Sequence, residues 1–186
     1  MFEILQLFGI PKEIIEAIKV LYINTQATVL TLESETDLFD ILAGILQGDT
    51  LAPFLFIIVI DYVMRVSVDS IPESGLMYQH RKSSRNPALY VTDADFADDI
   101  ALLSDNLQGA QALLSSLESA ANCVGLHLNK TNTEFMPVNI RNNQEIKTLS
   151  ENILKCVEDY KYLGSHIKNS EKHSRKASLD CLQQIE

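Results

Sequence analysis

Asp93-Ala94-Asp95-Phe96-Ala97-Asp98-Asp99-Ile100-Ala101-Leu102-Leu103 is the stretch that decides how this chain folds. Four carboxylates fall within seven residues, between two short apolar runs at 88–91 and 100–103. Apolar arms around a polar centre predict a hairpin with the acidic residues at or near its tip. Two neighbouring carboxylates, Asp98 and Asp99, repel one another and resist burial unless a cation neutralises them. A hard divalent ion with oxygen ligands suits such a pair, and Mg²⁺ characteristically takes one or two protein carboxylates together with substrate phosphates. Read by itself, Asp98-Asp99 is also compatible with a plain polar turn, because aspartate favours turns. A calcium loop of the EF-hand type is a poor fit. Counted from Asp93, both the glycine at position six and the terminal glutamate are missing.

Upstream lies a second signal, Gly44-Ile45-Leu46-Gln47-Gly48-Asp49-Thr50-Leu51-Ala52-Pro53, running into Phe54-Leu55-Phe56. Glycines on either side of a glutamine allow a ligand to approach the backbone closely, and a helix N-terminus follows. An ordinary strand-to-helix loop is the plainer reading of the same residues. It is no phosphate-binding P-loop, since Lys-Ser/Thr does not follow Gly48.

Further out, the pattern alternates helices with hairpins. Pro11 opens a helix over 12–23. Residues 27–32 and 38–42 predict a hairpin with a polar loop. A helix over 50–66, capped by Asp49 or Thr50, would bury Phe54, Phe56, Ile57, Ile58 and Ile60. Residues 69–87 read as a surface insertion carrying Arg81, Lys82 and Arg85. Leu107, Ala110, Leu114, Leu117 and Ala121 mark an amphipathic helix ended by Gly125, with Cys123 a small core residue and His127 a packing or capping residue. A strand is expected over 133–138, an exposed polar segment over 139–152, a hairpin over 160–167 and the start of a helix over 170–186. This order predicts an α+β fold, helices packed on one face of an antiparallel sheet.

Composition sets the outer bounds. The 186 residues are 46% hydrophobic and 22% charged, a globular balance that supports one sizeable core. No apolar run approaches the roughly 18 residues needed to span a bilayer. Three scattered cysteines and the absence of a basic, apolar leader point to a soluble intracellular chain without disulfides, nuclear or cytoplasmic. His80, His127, His166 and His173 do not cluster, so histidine ligation of a metal is not expected. The net charge of −10 argues against binding a phosphate backbone over the whole surface. The excess acid sits in residues 1–105, which carry sixteen acidic and six basic side chains.

Taken in order, Phe8-Gly9-Ile10-Pro11, the Gly44 to Phe56 block and Phe96-Ala97-Asp98-Asp99-Ile100-Ala101-Leu102-Leu103 resemble the reverse transcriptase domain of non-LTR (LINE-type, RTE-like) retrotransposons. Weaker matches follow at Val124-Gly125-Leu126-His127-Leu128-Asn129 with Thr133-Glu134-Phe135-Met136, and at Tyr160-Lys161-Tyr162-Leu163-Gly164-Ser165. The resemblance implies a polymerase palm over residues 1–168 and the start of a thumb or connection helix over 169–186, with fingers and thumb incomplete. It implies that Asp98 and Asp99 bind Mg²⁺ (or Mn²⁺), that Phe96 lies near the primer end, and that Gln47 and Gly48 contact the incoming nucleotide and template. It further implies two-metal nucleotidyl transfer from a dNTP to a primer 3′-hydroxyl, with an RNA template and a DNA primer as partners of the full-length protein. The resemblance places the family's first catalytic motif, with another metal-binding aspartate, before Met1, so the isolated chain is expected to be inactive. Where family members carry Lys-Thr-Glu, this chain has Asn132-Thr133-Glu134, and Lys130 would need a register shift to supply that lysine. The alternative is a non-catalytic remnant, a decaying gene product or a palm retained as an acidic interaction module.

Overall fold

The computed structural model describes residues 1–32, 34–41, 48–138 and 145–168, and the backbone of 182–184. The chain divides into two compact units, Met1–Ile60 and Asp61–Glu186.

In the first unit, helix α1 (Phe2–Leu7) is followed by α2 (Lys12–Tyr22), whose N-cap is Pro11. Proline suits that position because its fixed φ and missing N–H cost nothing where the helix has no bond to make. Leu5, Ile15, Ile18 and Leu55 form a small core, with Phe2, Ile10, Tyr22, Leu51 and Ile58 packed against it. Strands β1 (Gln26–Ala27) and β2 (Phe39–Asp40) pair antiparallel, and Leu30 bridges Glu35 further along. The hairpin expected over 27–42 is therefore present but short. Helix α3 (Ala52–Ser67) follows closely the helix expected from the sequence. Its burial differs, since Phe54 is 65% and Ile57 54% exposed. A helix apolar on nearly every side cannot cover all of itself, so part of the run predicted as core faces outward.

The second unit begins in α3 and continues with a 3₁₀ turn, Pro72–Ser74, and strands β3 (Leu76–Gln79) and β4 (Leu89–Val91), paired antiparallel. Two expectations are corrected here. Residues 69–87 are not one loop but include a strand, and 88–91 pairs with β3 instead of forming an arm of the acidic hairpin. That hairpin is built by β5 (Asp93–Phe96) and β6 (Asp99–Leu102). The acidic stretch is thus itself a strand, possible because its carboxylates lie where water still reaches them.

Helix α4 (Leu107–Cys123) starts at Asn106, whose side chain accepts the Gly109 N–H at 2.8 Å. It buries Ala110, Leu113, Leu114, Leu117 and Ala121 and lies against β6 and the 3₁₀ turn. Cys123 is exposed, contrary to its expected place in the core, because it falls on the solvent side of the last turn. The His127 ring, just past the helix end, bonds the Asn122 side chain at 2.9 Å and is exposed; among the described residues it caps no helix carbonyl, since the Val124 N–H reaches Ala121 O and the Gly125 N–H reaches Asn122 O instead. Short strands β7 (Glu134–Phe135) and β8 (Lys155–Cys156) run parallel, and β9 (Asp159–Tyr162) and β10 (Ser165–Lys168) form a tight hairpin. Within the segment expected to be exposed, Ile146 and Thr148 are buried. Gln111 explains why: it exchanges two hydrogen bonds with the Lys147 backbone, drawing this segment onto α4. Residues 139–144 lie outside the described residues.

Strand β11 (Leu182–Gln184) inserts between β6 and β7, antiparallel to both, giving a five-stranded sheet ordered β5-β6-β11-β7-β8. This corrects the helix expected over 170–186: where described, the segment is strand. The open backbone groups of β6 and β7 offer a pairing that local helix preference cannot match. The architecture is α+β, with four helices and small, mainly antiparallel sheets among the described residues.

Candidate active site

The β5–β6 hairpin closes through two residues, Ala97 and Asp98, with Phe96 opposite Asp99. Ala97 takes a φ of +55°, the reversed twist that two-residue hairpin loops need and that alanine adopts only under constraint. Asp98 sits in the turn and Asp99 opens β6, both half-buried, so the two carboxylates predicted to act together are consecutive at the tip. Phe96 is 63% exposed beside them. Behind the tip Ile100, Ala101 and Leu102 are fully or nearly fully buried, which anchors the hairpin in the core.

Asp95 lies one pair behind the turn, opposite Ile100. Crowding by surrounding protein, then the charge of Asp93 and a hydrogen bond to it, then the charge of Asp69, push its pKa up to about 7. The side chain still meets solvent, and that access limits how much the shift is worth. The sign is the reverse of the usual carboxylate case. An acid with a folded pKa above its ordinary 3.8 holds its proton more tightly when folded. Its contribution is therefore complete below about pH 4 and is lost as pH rises through 7. With screening the loss is about 1 kcal/mol. Asp95→Asn is expected to flatten the fall in urea midpoint between pH 4 and pH 8; parallel pH profiles for variant and wild type would contradict the assignment.

Two tyrosines of β9 face this hairpin. The Tyr162 hydroxyl donates to the carbonyl of Ala94 at 2.9 Å and approaches that of Asp99 at 3.4 Å. Burial, then the charges of Asp95 and Asp99, raise the Tyr162 pKa. Tyr160 is raised chiefly by burial, then by Asp99, Glu134 and Tyr162. Both therefore remain protonated donors at neutral pH. The Tyr160-Lys161-Tyr162 alternation signals two rings on one face of a strand; its connection to the acidic hairpin leaves no trace in the local pattern. Glu134 pairs with Lys155 of the adjacent strand at 2.5 Å.

In the first unit, Gly48 has a φ of +94°, a conformation that glycine alone adopts without strain. Next to it, the Asp49 carboxylate accepts the Leu51 N–H at 2.9 Å and a hydrogen bond from the Tyr22 hydroxyl, tying the loop to both α2 and the start of α3. The Tyr22 bond first, then that of Leu51, hold Asp49 below the usual carboxylate range. Burial and Asp49 push Tyr22 up to about 12. Gln47 lies outside the described residues.

Among the described residues no three His, Cys, Asp or Glu side chains are grouped to hold a metal ion. The hard-oxygen pair Asp98–Asp99 still fits a divalent cation that completes its shell with phosphate oxygens and water. No helix among the described residues is long and apolar enough to cross a membrane.

The β5–β6 hairpin thus presents two consecutive aspartates from a packed α+β sheet. The family model for reverse transcriptase (RNA-dependent DNA polymerase) matches residues 1–167, and the chain belongs to that family. Comparison with curated proteins gives no match. The family implies a palm fold, binding of an RNA template and primer, and use of divalent metal ions.

Proposed function

We propose that the chain is an RNA-directed DNA polymerase domain of the non-LTR, RTE-like type, acting in the nucleus or cytoplasm. Residues 1–168 supply the palm, and β11 (Leu182–Gln184) adds a strand to its sheet. The observation that carries this reading is the Asp98-Asp99 pair at the tip of the β5–β6 hairpin, whose β6 strand is buried from Ile100 to Leu102, in a chain of the reverse transcriptase family. Asp98 and Asp99 would hold Mg²⁺ or Mn²⁺, which when bound acidifies the primer 3′-hydroxyl and neutralises triphosphate charge. The hairpin's part is rigidity: it presents both carboxylates from a packed sheet so that the attacking hydroxyl is held in place. Phe96, exposed beside the pair, offers a ring to the primer end. The resemblance to non-LTR reverse transcriptases, rather than geometry, assigns Gln47 and Gly48 to the dNTP and template base.

Two carboxylates supply only a few of the oxygen ligands a divalent ion takes, so the isolated chain is expected to bind metal weakly and not to extend a primer. NMR during Mn²⁺ titration tests the assignment, with selective broadening of the amides of residues 96–99 expected at millimolar metal. Uniform or absent broadening would favour the other reading, a non-catalytic palm serving as an acidic interaction module. Primer extension that Asp98→Asn abolishes would show the site to be complete.

A further inference from the structure

Tyr162 ends β9 immediately before a two-residue turn, Leu163-Gly164, in which both residues have positive φ, +48° and +83°. Such turns match the twist of the strands they join and fix the residues at their edges. The Tyr162 ring is half-buried, and its hydroxyl reaches the Ala94 carbonyl on β5 and the Asp99 carbonyl on β6. One rigid hairpin tip is thereby fastened to β5 by the single hydroxyl proton at 2.9 Å, with a longer second contact at 3.4 Å to β6 at the residue that carries one candidate ligand. Lys161 points to the opposite face of β9, and Tyr160, on the same face as Tyr162, makes no hydrogen bond to this hairpin among the described residues.

We propose that Tyr162 is a positioning residue for the Asp98–Asp99 pair: its hydroxyl straps β5 to β6 so that the Asp99 backbone, and with it the turn, holds one geometry. The inference rests on the proposed role of that pair. It goes further by assigning a function to a side chain outside the candidate ligand pair. Without the strap the turn carries the strain of Ala97 with one fewer restraint, and ordering it costs part of the metal's binding energy.

The test compares Mn²⁺ affinity, read from broadening at residues 96–99, in the full chain and in Tyr162→Phe, Tyr160→Phe and a chain carrying 4-aminophenylalanine at position 162. Losing one hydrogen bond of this kind should weaken Mn²⁺ about 3- to 10-fold in Tyr162→Phe. Tyr160→Phe should bind as wild type does, and the para-amino donor should restore most of the affinity. A role confined to folding would move the urea midpoint but not the affinity of the folded fraction. Equal affinity in Tyr162→Phe alongside a normal wild-type response overturns the positioning role alone. No wild-type response overturns the assignment of Asp98 and Asp99, and the positioning role with it.

Discussion

Asp98→Asn is expected to weaken Mn²⁺ binding at least tenfold, and the double variant Asp98→Asn, Asp99→Asn to abolish it at millimolar metal. Asparagine keeps the side chain's shape and one oxygen, while it removes the charge and turns the second oxygen into an N–H donor. At contact distance a unit charge pair near a protein surface is worth about 4 kcal/mol before desolvation, and a dication roughly doubles that. Even if most of this is offset by removing water from the ion, what remains exceeds the 1.4 kcal/mol that a tenfold change requires. Folding should respond in the opposite direction. Asp93, Asp95, Asp98 and Asp99 share one hairpin, so deleting the Asp99 charge relieves repulsion and the urea midpoint of Asp99→Asn should hold or rise. This opposition separates a ligand from a structural carboxylate. Weaker metal binding with unchanged or greater stability is the expected pair of results. Unaltered Mn²⁺ affinity in the double variant would remove Asp98 and Asp99 from the site. Asp93→Asn, farther from the tip, should have a smaller effect through the field alone.

Much of the site is legible in the amino-acid order alone, because it depends on local chemistry. The Asp98-Asp99 turn, the Asp49 cap and the Tyr160–Ile167 hairpin all follow from residues that are neighbours in the chain. What stays hidden depends on partners distant along it. Residues 88–91 look like the obvious arm for Ile100–Leu102, yet β3 competes for them, and the acidic residues become the arm instead. The tail over 182–184 has a helix-compatible composition, and the unpaired edges of β6 and β7 decide its conformation. The Tyr162 strap joins residues 68 apart, and periodicity carries no information about such a contact. Phe54 and Ile57 fail as core residues for a related reason. Hydrophobicity marks what can be buried, and only the packing of neighbours decides which side is.

Gly109→Ala should destabilise the chain by about 1–3 kcal/mol, the usual cost of overpacking a well-filled core. Helix propensity alone predicts the reverse, since alanine is favoured over glycine inside a helix by about 1 kcal/mol. Position 109 is in the first turn of α4 and buried. A Cβ there would overlap the Ser104 Oγ and the Ser74 carbonyl oxygen, nearer than real Cβ atoms approach. Those two atoms are themselves bonded: the Ser104 hydroxyl donates to Ser74 O at 2.6 Å, joining the segment after β6 to the 3₁₀ turn. One of the atoms in the way is backbone, so no rotamer change clears the space. Either α4 moves off the turn or the Ser104–Ser74 bond breaks, leaving a carbonyl without its donor. Steric cost therefore outweighs propensity, and the loss should fall on the junction that supports β6 and hence the acidic hairpin. Ser119→Ala, at an exposed position of the same helix, isolates the propensity term and should be neutral or slightly stabilising. Ser104→Ala combined with Gly109→Ala clears one of the two obstructions but deletes the donor to Ser74 O, so it should recover little of the loss. Urea denaturation of the three variants decides the matter: a Gly109→Ala midpoint at or above that of wild type would mean that α4 is not seated against the turn as closely as this geometry requires.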